Sequence, residues 1–213
     1  MKIKQTLSCI CIFLVLTINL YGEEKVPSKM AYSGFSGGMM VHTGYVQSKP
    51  FTLNNNDGTA RESMQLKGAP FGLGGAIRVH FGQHLRVGSE GYTSTLNYGQ
   101  NKSYVSVGWG GLLIDCAWYL KSWTPFIGGT IGGGGVKHLT LLEPTADDFV
   151  LENNSTSYRT YGFMALTPFV GVEYAMTQKV HLVLKLDYLL NLTNWQDDFT
   201  TGPRLYVGFM FCH

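Results

Sequence analysis

Charged side chains recur at alternate positions of segments whose intervening positions are apolar. Residues 71–81 read FGLGGAIRVHF, in which Arg78 and His80 share one parity. Ile77 and Val79 hold the other parity. Because successive side chains of a strand point to opposite faces, this segment has one polar and one apolar face. The same pattern places seven charged residues on the polar faces of their segments: Arg78, Arg86, Glu90, Glu173, Lys185, Asp187 and Arg204.

We expect these seven residues to pair with one another if the strands enclose a narrow interior, since a buried charge requires a partner. His42, His80 and His181 share the polar faces with them. A different use of the same residues would be a thin polar path for water or ions, or a proton-linked gate.

Catalytic chemistry is weakly supported. His42 and His80 could meet across neighbouring segments, and His138 shares a connection with Asp147 and Asp148. Nucleophilic catalysis needs a nucleophile beside a base, and no spacing marks such a pair. We therefore expect no enzyme activity, no catalytic residue and no cofactor.

Acidic residues in two connections could hold a divalent cation that bridges phosphate groups. Asp147 and Asp148 lie in one connection, and Asp197 and Asp198 lie in another. Neither pair has the fixed ligand spacing of a calcium loop, so solvent-exposed loops without a metal are expected.

Eight alternating segments are predicted to form strands that position these side chains. Their bounds are Phe35–Tyr45, Phe71–Phe81, Leu85–Thr95, Tyr104–Tyr119, Pro125–Gly135, Gly162–Ala175, Val180–Tyr188 and Arg204–Phe211. Short turns of about three residues alternate with longer connections, which is typical of barrels in bacterial outer membranes. The longer connections are Gln47–Lys67, Asn97–Lys102, Lys137–Tyr158 and Asn191–Thr201.

The faces of the fourth and fifth segments are ambiguous. Asp115 shares its parity with Trp109 and Leu113, and a β-bulge would separate them. The fifth segment is rich in glycine, which leaves room inside a narrow barrel.

The N-terminus predicts export. Lys2 and Lys4 precede the apolar run Leu7–Leu20, which has the length of a signal peptide and is too short for a spanning helix. We place the signal peptide at residues 1–22 and a single domain at residues 23–213.

The net charge of the mature chain is close to zero. Without Lys2 and Lys4, basic and acidic residues balance at 14 each. A nucleic-acid partner is therefore not expected.

Apolar outward faces after a signal peptide predict an all-β protein: a closed, antiparallel, up-and-down transmembrane β-barrel of about eight strands. A soluble ligand-carrying barrel of the lipocalin type is the main architectural alternative, and it would have an apolar interior instead.

Cys116 and Cys212 lie near the same rim on opposite sides, so free thiols are expected. Six aromatic residues are predicted to form interfacial girdles: Trp109, Trp118, Trp123, Trp195, Tyr119 and Tyr188.

The stretch from Ser33 to Phe211 resembles the small outer-membrane barrels typified by the membrane domain of outer membrane protein A. The resemblance rests on strand count, loop asymmetry, the glycine-rich segment Pro125–Gly135, and the terminal strand RLYVGFMF with its aromatic residues. That strand is similar to the signal read by the outer-membrane assembly machinery, although Cys212 and His213 follow the final Phe211.

The resemblance implies a cell outer-membrane protein with both termini in the periplasm. Its expected partners are outer-membrane lipid, lipopolysaccharide and, through the C-terminal strand, the assembly machinery, and the barrel is expected to be a monomer. The expected function is a structural or surface-interaction role through the long loops. A small passive pore is the alternative, and a lipid-modifying enzyme or a lipocalin-like carrier is a weaker one.

Overall fold

The computed structural model describes residues 31–54, 60–98, 103–141, 156–193 and 196–213. The predicted signal peptide lies outside these residues and stays a prediction. Within them the strands are β1 (Tyr32–Gly44), β2 (Val46–Gln47), β3 (Phe51–Asn54), β4 (Ala60–Met64), β5 (Lys67–Gly68), β6 (Phe71–Phe81), β7 (Leu85–Tyr98), β8 (Ser103–Ala117), β9 (Trp123–Leu141), β10 (Thr156–Ala175), β11 (Val180–Tyr188), β12 (Leu190–Asn191) and β13 (Pro203–Cys212).

Eight of these strands form a closed antiparallel ring. The order β11-β13-β1-β6-β7-β8-β9-β10 is completed by pairing of β10 with β11. Each ring strand follows its sequence neighbour except where β13 closes against β1. The predicted up-and-down barrel of about eight strands is therefore confirmed.

The ring is staggered, as closure of tilted strands requires. From Met39 the pairing register leads through Gly75, Gly91, Gly110 and Gly133 to Met164 on β10. In the other direction it leads through Phe209 and Leu182 to Tyr174, also on β10. The two end points are ten residues apart (174 − 164) on one strand. Tilted strands of this kind enclose a lumen that side chains can fill.

Large apolar side chains cover the outside of the ring. Ile77, Leu112 and Ile131 are 61%, 70% and 53% exposed, whereas Arg78 on the inner face of β6 is fully buried. This is the reverse of the apolar interior that a lipocalin-like carrier would have. In the described part of the chain, no helix has the length and apolar character needed to cross a bilayer.

The strands extend further than the sequence predicts on the side of the long connections. β7 continues to Tyr98, β9 reaches Leu141, and β10 begins at Thr156. The predicted Lys137–Tyr158 connection therefore starts and ends within strands. Short strands also pair inside the predicted Gln47–Lys67 connection, β2 with β5 and β3 with β4. These extensions lie beyond the apolar band, so no apolar alternation marks them in the sequence.

The ambiguous faces of the fourth segment are resolved without a β-bulge. β8 pairs with β7 without interruption from Ser103 to Cys116, and Trp109, Leu113 and Asp115 all face the lumen. Trp109 is only 4% exposed and is not a girdle residue. Their shared parity needs no bulge, because the lumen accepts apolar side chains as well as charged ones.

The other five residues predicted to form girdles are not all in the same environment. Trp123 and Tyr188 are exposed, and Trp118 is half-buried. Tyr119 is also exposed, but its hydroxyl lies 3.3 Å from Nδ1 of His80, a residue of the inward parity. Trp195 lies outside the described residues. Cys116 and Cys212 are both free thiols, as expected.

Candidate functional site

The lumen near the short turns holds four charged side chains, here called the turn-side cluster: Arg78, Arg86, Asp115 and Glu173. Nη1 atoms of Arg78 and Arg86 each lie 2.7 Å from the same oxygen, Oε1 of Glu173. Asp115 accepts from Nε of Arg86 at 2.6 Å and lies 3.3 Å from Nε of Arg78. Two positive and two negative charges are thus interleaved in one buried layer.

Asp115 is the member that the predicted set of seven omitted. It stands opposite Arg86 in the β7–β8 register. Its shared parity with Trp109 obscured this position in the sequence, although the spacing of Asp115 and Arg86 about the β7–β8 connection could have indicated it. The aromatic ring of Phe126 supports the layer, because both guanidinium groups lie 4.9 Å from its centroid.

The four other predicted charges form a second layer, here called the central cluster: Glu90, Lys185, Asp187 and Arg204. Nζ of Lys185 donates to Oε2 of Glu90 at 2.8 Å, while Oδ2 of Asp187 lies 3.9 Å from the same nitrogen. Arg204 stands opposite Asp187 in the β11–β13 register. This layer also has two charges of each sign.

Aromatic rings surround the cations of the central cluster. Nζ of Lys185 lies 4.5 to 4.9 Å from the ring centroids of Tyr92, Phe169 and Tyr206. The guanidinium of Arg204 lies 4.7 Å from the indole of Trp109. Each of these aromatic side chains is at most 4% exposed. Rings and ion pairs together fill the cross-section of the barrel at this level.

The end of the lumen toward the long connections is closed by a segment of the β12–β13 connection. Asp198, Phe199 and Thr200 are 1%, 3% and 2% exposed, so the segment is inserted into the mouth. The ring of Phe199 packs edge-on against Phe163, with centroids 4.9 Å apart. The expectation that Asp198 belongs to a solvated loop is therefore wrong, because loop closure carries it inside.

Asp198 is bound by side chains from two barrel strands. Nδ1 of His138 lies 3.3 Å from Oδ2, and the Tyr161 hydroxyl donates to Oδ1 at 3.2 Å. Nη1 of Arg159 lies 3.5 Å from Oδ1. Burial by itself would raise the pKa of this carboxyl, but the hydrogen bond from His138 and the charge of Arg159 hold that pKa below its usual range.

This arrangement does not form a usable catalytic triad. Nε2 of His138 faces the hydroxyl groups of Tyr98 at 2.5 Å and Thr140 at 3.1 Å. Both His138 and Thr140 are nearly fully buried, and the ring of Phe51 covers the imidazole at 5.7 Å. A nucleophile there would not be accessible to substrate, so these contacts form a buried hydrogen-bond network with a structural role.

The other residues considered for catalysis or metal binding are dispersed. His42 packs against Tyr206, whereas Nε2 of His80 faces the Ser36 hydroxyl at 2.9 Å, so the two imidazoles do not meet. Asp147 and Asp148 lie outside the described residues. His181 joins the turn-side cluster, with Nδ1 3.4 Å from Oε2 of Glu173. Among residues that the structure describes, no three His, Cys, Asp or Glu side chains form a metal-binding group.

The architecture matches solved membrane barrels. Neisserial surface protein A superposes with a TM-score of 0.56 at 14% identity, covering 85% of this chain and 98% of that one. This chain has the fold of an outer-membrane β-barrel. Ail, the attachment invasion locus protein of Yersinia pestis, superposes with a TM-score of 0.51 at 10% identity, covering 85% of this chain and 99% of that one. That structure is a complex with the heparin analogue sucrose octasulfate.

Sequence comparison adds no narrower assignment to this outer-membrane barrel. No family model matches the chain, and no curated protein matches it. The strand pattern is therefore shared with these two barrels although only 14% and 10% of the residues are identical.

Proposed function

We propose that this barrel is a surface-interaction protein of the outer membrane that presents its long connections outside the cell and does not conduct. The observation that carries the proposal is the filled lumen. Two charge-balanced layers, the aromatic rings around Lys185 and the inserted segment at Phe199 occupy successive levels between the two ends. A passive pore would need a continuous polar path through those levels.

The end with the long connections offers the contact surface. Lys49, Lys67, Lys137 and Arg159 are exposed there, together with Asp197. Cations just outside an apolar belt suit phosphate and sulfate groups of saccharides, and the nearest source in an outer membrane is lipopolysaccharide. The heparin analogue in the Ail complex supports the same ligand class.

The remaining expectations belong to this proposal. Ala31, the first described residue, and His213 lie at the end of the barrel with the short turns. We assign both termini to the periplasm, because short turns of such barrels face that side. β13 is the strand proposed to engage the assembly machinery, and the barrel is proposed to act as a monomer.

Planar-bilayer recording with the folded full-length protein tests the closed lumen against the pore alternative. We expect no stepwise conductance. Regular openings at neutral pH would favour the pore instead.

Binding of fluorescent heparin to intact cells that express the protein tests the surface role. The triple variant Lys49→Gln, Lys67→Gln, Lys137→Gln should bind several-fold less, because exposed cations provide the attraction. The matched control is Lys121→Gln with Lys179→Gln, which removes exposed cations from the opposite end. Equal loss in both variants, or no binding by the parent, would refute this ligand class and the assigned orientation.

A further inference from the structure

Residues 196–201, here called the lid, are a described segment of the β12–β13 connection, and this segment enters the mouth of the barrel. Their centre is buried in the mouth, whereas Asp197 next to it has a side chain that is 59% exposed. Backbone amides of Gln47 and Thr201 exchange hydrogen bonds with each other's carbonyl oxygens at 2.8 and 2.9 Å. The lid is thus attached at its end and inserted at its centre.

Polar contacts hold the centre of the lid more than apolar contacts do. Phe199 is its buried apolar side chain, and its packing partner is Phe163. The side chains that face Asp198 are the imidazole of His138 from β9 and the guanidinium of Arg159 from β10, with the Tyr161 hydroxyl beside them. Arg159 also donates to Gln196 within the lid. One carboxylate therefore connects the lid to both strands of the longest hairpin.

The residue that follows the lid is suited to a hinge. Gly202 has φ of +156°, and a Cβ there would collide with the carbonyl oxygen of Tyr45. A conformation open to glycine but strained for other residues lets the chain turn sharply from the lid into β13.

Beneath the lid lie buried polar groups that lack a hydrogen-bond partner among the described residues. They include Nε and Nη1 of Arg204, Nε1 of Trp109 and both ring nitrogens of His42. Buried donors of this kind are costly unless water or a solute reaches them. The upper lumen is therefore polar enough to accept small solutes when the mouth is open.

We propose that residues 196–201 are a displaceable lid latched by Asp198, and that release of this latch opens the upper lumen to small polar solutes from outside, down to the Arg204 and Trp109 layer. The surface role needs no such opening, so the inference goes beyond it. The turn-side cluster stays closed, which makes the opened space a vestibule rather than a channel.

Cysteine accessibility tests the lid in intact cells. The reporter is Val136→Cys, because Val136 is 1% exposed and lies two residues below His138 on the inner face of β9. Native Cys116 and Cys212 are changed to Ser. A membrane-impermeant maleimide is added outside, and labelling at residue 136 is read by mass spectrometry. Lys137→Cys provides the exposed reference.

With Asp198 present, we expect labelling far slower than at the exposed reference. Asp198→Asn should raise the rate about tenfold, as loss of one charge-assisted hydrogen bond would. Asp197→Asn is the matched control and should leave the rate nearly unchanged, because the ion pair of Asp197 with Lys49, at 3.9 Å, is exposed and weak. Parental labelling as fast as the reference, or equal rates in the two Asp variants, would overturn the lid.

Tyr161→Phe provides a second test that keeps the carboxylate if Asp198→Asn fails to fold. It removes one hydrogen-bond donor to Asp198 and should raise the labelling rate by a smaller factor. A folded Tyr161→Phe protein that labels at the parental rate would also contradict the latch.

Discussion

Ion pairing in this barrel is organised so that each buried charge has neighbours of opposite sign. Lys185 illustrates the dependence on geometry: its ammonium is fully buried, lies 2.8 Å from Glu90 and is surrounded by three aromatic rings. A buried pair is weak evidence of stability, but loss of one partner leaves an uncompensated charge. Replacing a single interior charge should therefore lower the stability of the barrel strongly.

Lys185→Met should lower the free energy of unfolding by about 3 to 5 kcal/mol in a dry interior, and by less where water reaches Glu90. Membrane insertion should persist because the outer face is unchanged. Thermal unfolding in lipid vesicles measures the effect. The control is Lys179→Met in the exposed β10–β11 turn, which should be near neutral. Equal stability of the two variants would mean that Lys185 is already solvated.

Asp198 should stabilise the closed barrel in a pH-dependent way. Because its folded pKa is depressed, its contribution is complete above the unfolded value of about 4 and is lost as pH falls through the folded pKa. Asp198→Asn should therefore cost about 1.5 to 3 kcal/mol at neutral pH, the range for hydrogen bonds to charged groups. The stability gap from the parent should narrow below about pH 4. A gap that is constant down to pH 2 would contradict the assigned charge state.

At the level of elements, each strand must satisfy lipid on one face and a crowded lumen on the other. β9 meets the second requirement with glycine. A Cβ on Gly134 would collide with the Phe163 ring and the Gly108 carbonyl oxygen, whereas a Cβ on Gly135 would make an ordinary contact with Tyr161. Gly134 and Gly135 therefore differ in whether they can accept a Cβ, because the two positions point to opposite faces of the sheet.

Gly134→Ala should destabilise the barrel by about 1 to 3 kcal/mol through overpacking, and Gly135→Ala should be nearly neutral. Denaturant unfolding of the two variants in the same lipid compares them directly. The reverse order of stabilities would show that the register of β9 is displaced by one residue.

Two adjacent residues of β11 allow the lipid-facing side of the barrel to be compared with the lumen side. Leu184 is 44% exposed on the outside, and Val183 is fully buried in the lumen. Leu184→Arg should oppose insertion by about 2 to 4 kcal/mol, whereas Val183→Thr should have a mild effect. Folding yield into lipid vesicles measures both. Similar yields would be incompatible with an apolar environment around β11.

For the whole molecule, ring closure removes every free edge at the membrane level and makes the barrel a single cooperative unit. The protein should therefore remain in the outer-membrane fraction and migrate differently in gel electrophoresis before and after boiling. Recovery of the mature chain as a soluble periplasmic protein would contradict the membrane assignment.

Sequence alone predicts the strands within the apolar band, because lipid on one face and polar packing on the other impose a period of two. The bounds of β6 and β11 agree with the predicted bounds for this reason, and all seven charged residues of the predicted set are buried. Tertiary structure decided what alternation cannot specify. It placed Trp109 inside and paired Arg86 with Asp115, because a lumen accepts both apolar and polar side chains. It also carried Asp198 from an apparent surface loop into the mouth, where His138 and Arg159 meet it from strands that are distant in sequence.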